Sequence, residues 1–194
     1  MPQFPLEDLK KDLEIKTKFL GEDFIFHTTW GLFSPEKIDE GTIALIKSIK
    51  LPLDADILDM GCGYGPVGLA LAKKTSGEVL MVDKDFVAVD YANKNAKLNK
   101  IKNAKAVLSN GFSHVEGNKK FDLIISNLPA KVSKEFFWIL FGEAKDHLKK
   151  DGKIVVVTIA GLEFFIKKNF EKVFGNYELM SQGNGYFVAC AQLK

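Results

Sequence analysis

Ile57-Leu58-Asp59-Met60-Gly61-Cys62-Gly63-Tyr64-Gly65 runs an apolar stretch into a carboxylate and follows it with three glycines at alternate positions. Downstream, Val79-Leu80-Met81-Val82-Asp83 ends a second apolar run on another carboxylate. Glycines let the backbone turn tightly and let a ligand come close, because no Cβ blocks it. Working outward from this pair, strand and helix patterns alternate from Leu53 on. Strands are predicted at Asp56–Met60, Glu78–Val82, Ala104–Leu108, Phe121–Ser126 and Lys153–Thr158, and helices at Gly65–Lys74, Phe86–Leu98, Lys134–Lys150 and Gly161–Phe174. Short, uniformly apolar strands between amphipathic helices predict an α/β three-layer fold whose parallel sheet is covered on both faces. The tail breaks the alternation. Tyr177–Ser181 and Tyr186–Gln192 flank Gln182-Gly183-Asn184-Gly185, a hairpin signal, so a seven-stranded, mostly parallel sheet is expected to end antiparallel.

Before the core, Leu6–Leu13 reads as a short helix. Glu14–Phe19 and Asp23–Thr28 alternate around Leu20-Gly21-Glu22 as a β-hairpin. Ser34-Pro35-Glu36-Lys37 reads as a turn or short helical cap, and Ile38–Ile49 as a helix. The expected organisation is one domain over residues 1–194, with residues 1–50 as an N-terminal extension and 51–194 as a Rossmann-like core.

An apolar fraction of 46% and a charged fraction of 27% are those of an ordinary soluble globule. Met1-Pro2-Gln3-Phe4-Pro5 shows no signal-peptide pattern, and Ile154–Ile166 is too short to span a bilayer, so a cytoplasmic protein away from the membrane is expected. Cys62 and Cys190 make neither a disulfide framework nor a zinc site. His27, His114 and His147 are scattered without metal-like spacing, so no metal is expected. A net charge of +2 does not announce a nucleic-acid binder, and every basic residue is lysine. Any nucleic-acid contact would lean on phosphate charge, since lysine lacks arginine's planar fork.

Two ligands compete for the glycine loop. Gly63-Tyr64-Gly65-Pro66-Val67-Gly68 fits the dinucleotide pattern G-x-G-x-x-G, with Asp83 at the expected distance beyond. Yet Gly61-Cys62 intervenes between the strand and that pattern, and Asp59 would repel a pyrophosphate gathered at the helix N-terminus. The same carboxylate suits an ammonium group, while Asp83 suits a ribose. S-adenosylmethionine (SAM) carries both, and it is the expected cofactor.

With these residues in view, the chain resembles a class I SAM-dependent methyltransferase from about Gly31 onward. Trp30-Gly31-Leu32-Phe33-Ser34-Pro35-Glu36-Lys37-Ile38-Asp39-Glu40-Gly41-Thr42 is similar to the G-V-F-S-x-x-x-x-D-x-G-T segment of the small methyltransferase group. That group includes the ribosomal RNA small-subunit methyltransferase C family, which modifies the exocyclic N2 of guanine. The resemblance implies that Asp59, Gly61, Gly63 and Gly65 hold the methionine part and that Asp83 accepts from the ribose hydroxyls. It implies that Gly41 and Thr42 close over the methionine end and that Asn110 contacts the adenine amine. Its catalytic motif, Asn-Pro-Pro plus an aromatic, stands here as Asn127-Leu128-Pro129-Ala130, so Asn127 and Pro129 are the implied catalytic residues and the stacking aromatic is missing, with Phe33, Phe136, Phe137, Trp138 and Tyr186 as candidates to replace it.

An exocyclic amine is a poor nucleophile because its lone pair is delocalised into the ring. Fixed acceptors on its N–H groups, the Asn127 oxygen and a backbone carbonyl such as that of Leu128, would aim the lone pair at the methyl. Proline would keep the turn rigid. RNA is the expected partner, with Lys131 and Lys134 flanking the catalytic turn. A small-molecule or protein methyltransferase, and an idle SAM- or RNA-binding module, remain the rival readings. Phe136, Phe137, Leu140, Phe141 and Leu148 have helical spacing and read as core, with room for one phenylalanine near the helix start to face the pocket; Cys62 reads as a buried loop filler and Lys149-Lys150 as a solvated face.

Overall fold

The computed structural model describes residues 11–129 and 134–194, with the side chain of Lys134 not among them. Ala130, Lys131 and most of the predicted Leu6–Leu13 helix therefore lie outside the described residues; Leu13 itself opens a strand.

Among the described residues a seven-stranded sheet runs in the order β5 (Ala104–Leu108), β4 (Val79–Asp83), β3 (Ile57–Met60), β6 (Phe121–Asn127), β7 (Leu148–Ile159), β9 (Tyr186–Gln192), β8 (Glu178–Gly183). The strands from β5 to β7 pair in parallel, and β9 joins both β7 and β8 antiparallel. Alternate residues face opposite layers, as the pleat requires. Ile57, Met81, Leu123, Ile125, Val155 and Val157 pack under α1 (Glu40–Ser48), α2 (Pro66–Ala72) and α3 (Phe86–Leu98). Leu58, Val82, Ile124, Ile154 and Val156 pack under α4 (Lys134–Asp146) and α5 (Glu163–Phe174). This is the expected three-layer class I methyltransferase fold.

The N-terminal hairpin, β1 (Leu13–Phe19) with β2 (Glu22–Thr28), forms a separate two-stranded sheet. Its outer edge is closed by α3. Asn99 accepts from Ile25 N (3.0 Å) and donates to Ile25 O (2.7 Å), and Asn95 does the same at His27 (2.8 and 2.9 Å). Two asparagines one helical turn apart thus cover a strand edge that would otherwise offer unpaired backbone groups. Asn95 also donates to Tyr64 O at 2.9 Å, which ties the hairpin to the glycine loop.

Several boundaries differ from the sequence reading. The helix predicted to reach Lys150 stops at Asp146, and β7 begins at Leu148 rather than Lys153. Phe121 N donates to His147 O (2.8 Å), and Asp151 N to Leu193 O (2.9 Å), so both neighbouring segments draw 147–152 into the sheet. Lys149 is no solvated lysine. Its Nζ lies 2.9 Å from Asp56 Oδ2 and 2.8 Å from Asp122 Oδ2, joining the amino ends of β3, β6 and β7. Asp39 caps α1, which starts two residues later than expected, and the start of α5 is replaced by a short 3-10 turn at Ala160–Leu162. Phe137, Leu140 and Phe141 are core residues of α4 and Leu148 of β7, but Phe136 is 37% exposed.

Candidate active site

The carboxyl ends of β3, β4, β5 and β6 meet at one edge of the sheet, where ligands bind in open α/β folds. The loop after β3 is pinned there by Gly61 N and Cys62 N, which donate to Val82 O at 2.8 and 3.0 Å. Gly61, Gly63 and Gly65 adopt φ of 72°, 55° and 92°, a left-handed region costly for any residue with a Cβ. Gly68 has a different reason. A Cβ there would meet Met81 at 2.7 Å and Asp59 Oδ2 at 2.9 Å, so its absence lets α2 sit on β3 and β4. Tyr64 and Cys62 are buried beneath the loop, and burial pushes both the phenol and the thiol up from their ordinary pKa. Tyr64 OH donates to Ser34 O at 3.3 Å, fastening the loop to the Trp30–Asp39 segment.

Asp83 ends β4 half-buried, its Oδ2 accepting from Gly63 N at 2.9 Å and its Oδ1 from Asp85 N at 3.0 Å. The second carboxylate is therefore aimed by the glycine loop itself. Asn110 stands beside it with an exposed side chain: β5 pairs Leu108 with Asp83, and Ser109 N donates to Asp83 O at 2.8 Å.

Asp59 is placed deeper than the sequence suggests. It is 2% exposed, and its Oδ2 accepts from Gly68 N at 2.8 Å, so its first task is to hold the N-terminal turn of α2 against β3. Burial raises its pKa to about 7, partly opposed by the Gly68 N–H and reinforced by the charge of Asp83. The folded state thus binds this proton more tightly than the unfolded chain, where an aspartate titrates near 3.8. Stability from this group is therefore greatest below about pH 4 and falls as pH rises toward 7. Asp59→Asn keeps an acceptor for Gly68 and removes the buried charge. It is expected to be more stable than wild type at pH 8, by up to about 4 kcal/mol, with the advantage gone near pH 4. Urea unfolding across that range checks this, and parallel pH profiles of the two proteins would contradict it.

The third cluster joins β6 to the N-terminal segment. Asn127, the last residue of β6, donates through Nδ2 to Asp39 Oδ2 and to Thr42 Oγ1, both at 3.0 Å. Thr42 N donates to Asp39 Oδ2 at 3.0 Å, and Tyr186 OH donates to Asp39 Oδ1 at 3.0 Å. Gly41 lies against this group, as a Cβ there would sit 2.9 Å from both Asp39 Oδ2 and the Tyr186 ring. Leu128 is buried, and its N–H donates to Val157 O at 2.8 Å, extending the β6–β7 ladder beyond Asn127. Proline at that position has no N–H to give, which is a local reason for leucine here. Pro129 follows, exposed.

The structure thus brings Gly61, Gly63, Gly65 and Asp83 together at the loop, with Asn110 on the adjoining strand. Gly41, Thr42, Asn127 and Pro129 gather at the neighbouring strand end. Sequence reading gave Asp39 no role, and it named Tyr186 only as an aromatic that could replace the missing stacking residue, not as a partner of Asp39. Asp39 offered a signal, a carboxylate placed to cap the helix that begins with Glu40-Gly41-Thr42. Tyr186 offered none, because it lies 147 residues from its partner. Among the described residues no three metal-ligating side chains converge, and no helix is long and apolar enough to cross a membrane.

Residues 23–190 match the methyltransferase small domain family. The Bacillus subtilis protein YbxB is 34% identical across 88% of this chain and 87% of its own length. The ribosomal RNA small subunit methyltransferase C of Hamiltonella defensa is 32% identical across 99% of this chain but only 55% of its own length. Among solved structures, the T. thermophilus 16S rRNA N2 G1207 methyltransferase, in complex with AdoMet and guanosine, superposes with a TM-score of 0.86 at 25% identity, covering 94% of this chain and 51% of that one. The chain therefore spans about half the length of the ribosomal RNA methyltransferases it matches. With the glycine loop, Asp83 and Asn127 placed at adjoining strand ends of the matching fold, this chain belongs to the methyltransferase small domain family.

Proposed function

We propose that this methyltransferase moves the methyl group of SAM to an exocyclic amine in RNA, with guanine N2 of ribosomal RNA the favoured acceptor. The observation that carries the reading is the position of Asn127: its side-chain amide stands at the carboxyl end of β6, the strand paired with the β3 that bears the glycine loop, and is held there by hydrogen bonds to Asp39 and Thr42. The likeness to ribosomal RNA methyltransferases supports the choice of RNA.

When bound, SAM supplies an electrophilic methyl on a sulfonium. The loop of Gly61, Gly63 and Gly65 would receive the methionine part, with the charge of Asp59 beneath it favouring an ammonium group. Asp83 has acceptor capacity beyond its two backbone bonds, enough for ribose hydroxyls. Asn110 would accept from the adenine amine, and Gly41-Thr42, at the start of α1, would close the methionine end. Asn127 Oδ1 and a backbone carbonyl such as that of Leu128 would hold the acceptor's N–H groups, and Pro129 would stiffen the turn. No strong base is needed before attack, because a ring amine carries its lone pair unprotonated. The rate then comes from in-line placement.

If RNA is the partner, its phosphates must meet lysines. Binding of ribosomal RNA should then weaken steeply with salt, and Lys131→Ala or Lys134→Ala should each flatten the log–log slope by about 0.7 to 0.9. Filter binding between low and moderate salt measures this. Salt-insensitive binding, or label from SAM appearing only in the protein or small-molecule fraction of a cell extract, would reject RNA. No label in any fraction would favour an idle binding module.

A further inference from the structure

We propose that Asp39 is a positioning residue for methyl transfer: its carboxylate fixes the Asn127 side-chain amide with its oxygen toward the acceptor nitrogen, and Tyr186 holds that carboxylate in place. The proposal rests on the role given to Asn127 above. A carboxylate only accepts hydrogen bonds, so at 3.0 Å Asn127 must face Asp39 with its NH2 group rather than its oxygen. The second hydrogen of that NH2 goes to Thr42 Oγ1, also at 3.0 Å. Both donors are thereby spent. Planarity of the amide then leaves Oδ1 turned away from Asp39, as an acceptor and nothing else. An incoming group meets an oxygen there, which favours an amine bearing hydrogens over a bare ring nitrogen. With the amide reversed, its NH2 would oppose the hydrogens of the same amine.

The surroundings are shaped to this carboxylate. Oδ2 takes Thr42 N and Asn127 Nδ2, and Oδ1 takes the Tyr186 hydroxyl, so three donors share one ionised group. Only glycine at position 41 lets the three approach, because a Cβ would lie 2.9 Å from both Asp39 Oδ2 and the Tyr186 ring. Tyr186 opens β9 opposite Ile159, so the antiparallel end of the sheet reaches the site through the Tyr186 side chain. The acid that caps α1 therefore also sets the polarity of the residue that ends β6.

Asp39→Asn tests this without dismantling the helix, since asparagine is an equal N-cap. Asparagine offers one uncharged oxygen where the carboxylate offers two charged ones, so the hold on the Asn127 amide weakens, and the new NH2, wherever it faces Asn127, invites that amide to turn over. The expected result with SAM and undermethylated ribosomal RNA is a kcat lower by about 10²-fold, with SAM Kd and RNA KM within about threefold of wild type. Asn127→Asp sets two carboxylates face to face and should be at least as impaired. Combining both restores a donor–acceptor pair, so the double variant should exceed Asn127→Asp by about tenfold or more, whereas a residue that only supports the fold would give additive losses. A second readout needs no acceptor. The Asn127 side-chain NH2 signals in 15N–1H spectra, assigned by their loss in Asn127→Asp, should shift and exchange faster with solvent in Asp39→Asn and in Tyr186→Phe. Unmoved signals in Asp39→Asn, or additive losses in the double variant, overturn the proposal. Moved signals in a protein whose wild type leaves RNA unlabelled would support Asp39's role and refute the RNA reading instead.

Discussion

Asn127→Ala is expected to lower methyl transfer by about 10³-fold or more while leaving SAM affinity within a few-fold of wild type. Alanine removes the acceptor oxygen that would align the amine. It also strips Asp39 and Thr42 of their shared donor, so the turn loses its anchor to α1 as well. Because the lost oxygen is the one turned to the acceptor and, among the described residues, Asn127 makes no bond to the glycine loop, the loss should appear in the chemical step. Single-turnover transfer of labelled methyl, beside calorimetric SAM binding, separates the two. A variant that retains most of its activity would make the Asn127 turn a structural feature only.

Asp83→Ala is expected to act on the other step, weakening SAM binding by about 10² to 10⁴-fold. Two charge-assisted hydrogen bonds to ribose would go, each worth roughly 1.5–3 kcal/mol. The alanine also frees Gly63 N–H and Asp85 N–H, which the carboxylate now orients. Asp83→Asn keeps an acceptor for Gly63 without the charge and should fall between. Calorimetry gives the ranking. Undiminished affinity in Asp83→Ala, or tighter binding of NAD than of SAM by the wild type, would contradict the assignment of this carboxylate to the ribose.

Most of the sheet was legible because its strands are short, apolar and separated by helical spacing. Ile57 to Asp59 and Val79 to Asp83 carry that signal with little ambiguity, and the pairing of β3 with β4 follows from it. The Leu148–Gly152 segment was not legible. Lys149 and Lys150 read as the polar end of a helix, yet Lys149 bridges Asp56 and Asp122, and Asp151 just beyond bonds to Leu193 from the far end of the chain. Such pairings are long-range, and no local pattern encodes them.

The candidate site divides in the same way. Gly61, Gly63, Gly65 and Asp83 announce themselves because a tight loop at a strand end needs residues without Cβ, and its carboxylate follows at a fixed remove. The depth of Asp59 was invisible, since it depends on Gly68 letting α2 close over it. The group of Asp39, Thr42, Asn127 and Tyr186 comes from three distant parts of the chain, and only the fold brings them within hydrogen-bond reach. The leucine within Asn127-Leu128-Pro129 looked like an erosion of a motif, but its N–H continues the β6–β7 ladder.

The central claim, methyl transfer from SAM to an exocyclic amine of RNA, is tested most directly by the product. Ribosomal RNA from cells lacking this protein would be incubated with it and isotopically labelled SAM, digested to nucleosides and resolved by mass spectrometry. The account predicts label in N2-methylguanosine, absent with Asn127→Ala. Label in a ring-methylated nucleoside, or in no nucleoside while protein or a small molecule takes it up, would contradict the account.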